Sequence, residues 1–122
     1  MRILLSCIAA VLFITASAQN DTSAISFKTT THSFGNIKQG KPVTTEFTFT
    51  NKSGKTVIIE TATAECGCTT PEYPKTPIQK DKTGVIKVTY NAENPGKFSK
   101  RVTVKFANIQ PVILTIDGVV TP

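Results

Sequence analysis

The chain has 122 residues, with 14 Lys and Arg against 8 Asp and Glu for a formal net charge of +6, seven phenylalanines, no tryptophan and three cysteines. That length excludes a multidomain protein and leaves room for one domain with one core. Beyond the first eighteen residues no apolar run is long enough to span a membrane, so no membrane-spanning apolar segment is expected once those residues are removed.

Residues 1–18, MRILLSCIAAVLFITASA, have the three parts of a secretory signal peptide. Arg2 is a short positive region, Ile3 to Ile14 is an apolar run, and Ala16, Ser17 and Ala18 put small side chains before a cut between Ala18 and Gln19. The apolar run follows Cys7 rather than preceding it, so a lipid-anchor cleavage site is discarded. Removing Arg2 lowers the charge to about +5. The protein is expected to be exported, to the periplasm or the medium, with 19–24 as a flexible polar lead and 25–122 as the folded domain.

No segment shows sustained helical periodicity; alternation of apolar and polar residues runs throughout. ISFK and HSFGNI read as short strands or an extended edge. In VTTEFTFTN, Val43, Thr45, Phe47 and Phe49 share one face, as in a half-buried strand. NKSGK is a turn, with Asn51 and Gly54 supplying permissive backbone. TVIIETATA follows with Val57 and Ile59 inward, and these two strands read as a hairpin. Pro71, Pro74 and Pro77 lack the N–H that a central ladder needs, so TTPEYPKTPIQKDKTG is a loop or an edge segment. VIKVTYN places Ile86, Val88 and Tyr90 inward. After the turn AENPGK, FSKRVTVKF places Phe98, Val102, Val104 and Phe106 on one face. PVILTIDGVV closes the chain with Val112, Leu114, Ile116 and Val120 in register. Six or seven short strands at this spacing predict an all-β fold, a two-sheet antiparallel sandwich. The expected core is Phe27, Phe34, Phe47, Phe49, Val57, Ile59, Ile86, Val88, Tyr90, Phe98, Val102, Val104, Phe106, Leu114 and Ile116.

The one stretch that carries chemistry is AECGCTTP. After signal cleavage only Cys66 and Cys68 remain, and two cysteines in an oxidising compartment normally pair. On an extended strand residues i and i+2 lie roughly 6.6 Å apart, near the upper limit for a disulfide, so closure needs a bend that Gly67 can supply with φ > 0. So short a loop restrains the unfolded chain little. Three readings stay open: a local disulfide staple at a tight turn, a redox-labile disulfide, and a thiolate site for Cu(I), which suits two soft sulfurs. Glu65 and Glu72 would oppose a lowered thiol pKa. Zinc would need four ligands, and only His32 and carboxylates could add to the pair.

Other candidates carry less. His32 is the only histidine, Ser33 points to the opposite strand face, and no nucleophile-elbow motif exists, which argues against a hydrolase. Glu46, Glu60 and Asp117 are scattered rather than paired across a cleft. Lys97, Lys100, Arg101 and Lys105 could form a basic stripe around one strand, attractive to anionic envelope glycans or lipid headgroups. No phosphate cradle or aromatic platform accompanies them, and export argues against nucleic acid. Asn20 and Asn51 match the N-glycosylation pattern.

HSFGNIKQGKPVTTEFTFTNKSGKTVII, AECGCTTPEYPKTPI, GVIKVTYNAENPGKFSKRVTVKFAN and VILTIDGVV together resemble the family catalogued as domain of unknown function 1573 (DUF1573). FGNI, FTFTN, CGCT and GKF match the expected places. Where that family often has Pro-Gly before the strand VIKVTYN, this chain reads QKDKTG. The resemblance implies a small exported immunoglobulin-like sandwich of the kind found in Bacteroidetes. The resulting expectation is a non-catalytic binding or structural module of the cell envelope, a monomer without cofactor, with a protein or envelope glycan as partner. The alternative is a small redox or copper-handling protein using Cys66 and Cys68.

Overall fold

The structure is a computed structural model that describes residues 24–122. The signal segment 1–18, its cleavage bond and most of the polar lead lie outside the described residues. Eight strands follow in order: β1 (Ile25–Phe27), β2 (Thr31–Lys38), β3 (Val43–Asn51), β4 (Ile59–Ala64), β5 (Thr69–Glu72), β6 (Thr83–Tyr90), β7 (Gly96–Phe106) and β8 (Val112–Thr121). They form two four-stranded sheets, ordered β1-β3-β6-β5 and β2-β8-β7-β4. The fold is the expected all-β two-sheet sandwich, with one strand more than the alternation alone suggests. The extra strand comes from the start of TTPEYPKTP, where the edge-segment alternative holds: Thr69–Glu72 pairs antiparallel with β6 along one edge. Pro71 sits there because an edge strand has a side where no donor is required.

Two expectations are corrected. The sandwich is not wholly antiparallel, since β2 runs parallel to β8. The N-terminal segment is continuous: Lys28 N still donates to Thr48 O of β3, and Thr30 O already accepts from Thr115 N of β8 (3.0 and 2.8 Å). The same extended run therefore edges first one sheet and then the other without reversing. The second correction is that β3 and β4 are not a hairpin. β3 lies between β1 and β6, whereas β4 pairs with β7 in the other sheet. Alternation says which side chains face inward, but a strand in either sheet satisfies it.

Asn51 holds that crossing. Its side chain is fully buried. Its Nδ2 donates to Lys55 O (2.7 Å) and Ile78 O (2.9 Å), and its Oδ1 accepts from Ser53 N (3.0 Å) and Ser53 Oγ (2.7 Å). A buried amide is tolerated only when satisfied in this way. The same bonds occupy the nitrogen that a glycan would need, so Asn51 does not serve as an acceptor in the fold. In the neighbouring QKDKTG segment Asp81 takes φ 63°, and Lys82 N donates to Gln79 O (3.0 Å). This turn stands where a Pro-Gly turn was the alternative.

The inward faces meet in one core. β3 and β6 contribute Phe47, Phe49, Ile86, Val88 and Tyr90; β7 and β8 contribute Val102, Val104, Phe106, Leu114, Ile116 and Val120. Burial of each large side chain is worth roughly 1.5–3 kcal/mol. Phe27 and Phe34 are half-buried against this cluster, and Ile25, Ile78 and Ala92 join it from strand ends and turns. Two aromatic pairs tie sheet to sheet: Phe49 with Phe106, edge to face at 5.6 Å, and Tyr90 with Phe98, stacked at 4.0 Å.

Candidate functional site

The Cys66–Cys68 segment is the turn by which the chain leaves β4 in one sheet and enters β5 in the other. The structure pairs the two sulfurs across Gly67, with Cα atoms 5.3 Å apart. That is shorter than the extended spacing, so the chain bends as required. The bend does not come from a left-handed glycine, however. The glycines with positive φ are Gly35, Gly40, Gly54 and Gly96, and Gly67 is not among them. Thr69 N donates to Cys66 O at 3.4 Å, so an ordinary four-residue turn makes the bend. Gly67 itself is exposed, and a Cβ there would meet nothing beyond its two chain neighbours within 4 Å.

Both cysteines are half-buried, whereas Thr69 is almost fully buried at 4% exposure. Thr69 Oγ1 lies 3.8 Å from Cys66 Sγ and 3.7 Å from Cys68 Sγ. Nothing in the sequence singled out Thr69: a threonine opening a strand reads as an ordinary β-former. Its adjacency to Cys68 was the only available signal.

Hydrogen bonds fasten the turn to its surroundings. Cys68 O accepts from Asn91 N (3.0 Å) just past β6, and Glu65 N donates to Arg101 O of β7 (3.2 Å). Glu65 also folds back: Oε1 accepts from Arg101 N at 3.0 Å and Oε2 lies 3.5 Å from Arg101 Nε. That ion pair is largely exposed, so it orients the turn more than it stabilises the fold. The β2–β3 connection joins in, with Gly40 N donating to Ala92 O (2.8 Å) and Gln39 Nε2 to Glu93 O (2.9 Å). Ala92 itself is buried in a left-handed conformation, φ 57°. Three connections therefore form one hydrogen-bonded end of the sandwich. Beside it a cavity of about 320 Å³ is lined by Thr63, Ala64, Glu65, Arg101, Thr103 and Ile113. A cavity of about 510 Å³ lies at the opposite end, around Ile25, Asn108, Ile109 and Pro111.

The remaining candidates are dispersed. His32 lies on β2, the edge strand farthest across the sheet from β4, and packs edge-on to Phe34 at 4.7 Å. Three strand spacings separate it from the cysteine turn, roughly 14 Å. Ser33 alternates away from it beside Asp117 of β8. Glu46 and Glu60 are exposed on different sheets. Among the described residues no three His, Cys, Asp or Glu side chains gather where a metal could be held. The four basic residues do not make one stripe. Lys97, Arg101 and Lys105 share the outer face of β7, Lys100 is half-buried on the other parity, and Arg101 is offset by Glu65. No helix among the described residues is long and apolar enough to cross a membrane.

A family model described as protein of unknown function (DUF1573) matches residues 25–120. No curated protein matches in sequence. A crystal structure of a protein of unknown function from Porphyromonas gingivalis W83 superposes with TM-score 0.69 at 10% identity, covering 79% of this chain and 46% of that one. This chain thus spans about half of that relative. The ASH/PapD-like domain 7 of human CEP192 superposes with TM-score 0.72 at 6% identity over 99% of this chain and 98% of that one. The YadV chaperone gives TM-score 0.52 at 15% identity, covering 81% and 52%. At such identities the likeness is one of fold, an immunoglobulin-like or PapD-like sandwich.

Proposed function

Since the chain belongs to the family described as protein of unknown function DUF1573, we propose that it is a non-catalytic, exported module of the cell envelope. In this reading it acts as a monomer that binds a protein partner through the end of the sandwich built around Cys66 and Cys68. The observation that carries the reading is the bonding of three connections into one end, through Cys68 O–Asn91 N, Ala92 O–Gly40 N and Glu93 O–Gln39 Nε2. Loops fixed on a rigid scaffold are where such folds place recognition. The sheet faces offer less: their outward side chains are mostly Thr, Lys and Glu, with Val85 and Ile113 as single apolar exceptions on different sheets.

Site-specific photo-crosslinking in the exporting cell tests this placement. A crosslinker at Lys41, Gly67 or Asn94 should trap one common partner, and a crosslinker at Thr48 or Thr115 should not. Adducts confined to the sheet faces would overturn the placement. Intact mass tests export: the mature chain should begin at Gln19 and be two hydrogens short of the dithiol mass. Retention of residues 1–18 would overturn export, and stoichiometric copper by elemental analysis would favour a copper-handling protein instead.

A further inference from the structure

We propose that Cys66 and Cys68 form a thiol–disulfide exchange site whose reaction partner is a dithiol, and that Thr69 is a positioning residue that stabilises the thiolate of the reduced pair. The proposal goes beyond the binding role and stands or falls separately from it. It begins with the buried hydroxyl. Thr69 is 4% exposed, and among the described residues the polar partners of its Oγ1 are the two sulfurs, at 3.8 and 3.7 Å. A buried hydroxyl costs free energy unless it is well bonded. A disulfide sulfur is a weak acceptor, whereas a thiolate is charged and accepts a short, strong bond. The hydroxyl is therefore poorly matched to the oxidised pair and well matched to the reduced one. A site built only as a staple has no use for that bias.

The surroundings allow the chemistry. Gly67 is exposed and the cysteines on either side of it are only half-buried, so an attacking thiolate has an approach. Glu65, which would raise a neighbouring thiol pKa, is tied to Arg101 by a hydrogen bond and an ion pair. Glu72 lies on β5 opposite Lys87 of β6, Lys100 is on β7 and Glu93 lies past β6. None of these side chains hydrogen-bonds to the sulfurs. His32 is on the far edge strand, so no imidazole lies beside the sulfurs.

The exchange balances. One thiolate of the dithiol attacks a sulfur of the pair, the Sγ–Sγ bond breaks, and the second sulfur leaves as a thiolate that receives the Thr69 hydrogen bond. The second thiolate of the dithiol then attacks the mixed disulfide. The pair gains two electrons and the dithiol becomes a disulfide; protons follow below the thiol pKa.

The test equilibrates wild-type protein, Thr69→Val and Thr69→Ser with reduced and oxidised dithiothreitol, and counts thiols by alkylation mass at pH 6 and pH 9. A thiolate-specific bond acts only where thiolate is populated. Thr69→Val should therefore shift the equilibrium toward the disulfide by roughly tenfold at pH 9, about 30 mV for a two-electron couple, with little change at pH 6. Thr69→Ser should restore the wild-type value. Equal constants at pH 9, or the same shift at both pH values, would overturn the proposal, because a packing defect acts at every pH. A second readout needs no variant. The rate of alkylation of the reduced wild-type protein against pH should give one cysteine a pKa below the usual value of about 8.5. A pKa at or above that value also overturns it.

Discussion

Single residues carry more of this fold than their side-chain chemistry suggests. Gly84 pairs with Phe49 across β3 and β6, and a Cβ placed there would come within 2.7 Å of Phe49 Cε1 and meet Cζ as well. The ring is fully buried, tilted against Phe27 of its own sheet and edge-on to Phe106 of the other, so it has little room to swing aside. Gly84→Ala should therefore destabilise by about 1–3 kcal/mol, the usual cost of overpacking, read as a lower urea midpoint with unchanged slope. Asn51 gives a prediction with a pH signature. In Asn51→Asp the carboxylate cannot donate to Lys55 O or Ile78 O, and burial favours its protonated form. Its folded-state pKa is then raised above the unfolded carboxylate value. The linkage sign follows: stability is greatest below the unfolded pKa, about 3.9, and is lost as pH rises through the folded value. The thermal midpoint of Asn51→Asp should fall from pH 4 toward pH 7 relative to wild type. A parallel course of the two proteins would show that the site is solvated.

The β4–β5 connection shows what an element can gain from a covalent link this short. The bridge would join residues two apart in sequence, and so small a loop removes little entropy from the unfolded chain, under about 2 kcal/mol. The double variant Cys66→Ser, Cys68→Ser should therefore stay folded and lose less than about 2 kcal/mol in urea titration. A loss of twice that would make the pair a principal support of the fold. The elements themselves were largely legible in the sequence, because alternation reports burial directly: β3, β4, β6, β7 and β8 face inward where their alternation predicts. What alternation cannot report is the sheet to which a strand belongs. β3 and β4 read as a hairpin because a turn joins them, and the decisive feature, the buried amide of Asn51, looks in sequence like any turn residue. The CGC pair stood out as a candidate site from cysteine count alone. Its turn geometry was not, since glycine between two cysteines suggests a left-handed bend that the chain does not use. Thr69 was invisible, because what marks it is burial beside the two sulfurs rather than residue type. The basic stripe dissolved once Lys100 and Arg101 were placed on opposite faces.

At the scale of the molecule, connectivity decides how the fold is lost. The chain changes sheet between β1 and β2, β2 and β3, β3 and β4, β4 and β5, and β6 and β7; only β5–β6 and β7–β8 join neighbours within a sheet. Each sheet is thus assembled from strands that the other interrupts, and neither is a contiguous stretch that could persist alone. Such non-local pairing makes folding slow, because loop closure precedes the contacts that offset it. It also makes unfolding all-or-none. The sequence provides two independent probes of this. There is no tryptophan and there are two tyrosines, so tyrosine fluorescence is not masked. Tyr90 of β6 stacks on Phe98 of β7 at 4.0 Å, across the two sheets. In a Tyr73→Phe background its emission reports sheet-on-sheet packing, while far-UV circular dichroism reports the strands themselves. In a urea titration the two signals should trace one transition with one midpoint, and refolding should take milliseconds to seconds. If the fluorescence change came first, the sheets would be separating before either was lost, and the interleaved connections would not be what makes the sandwich a single unit.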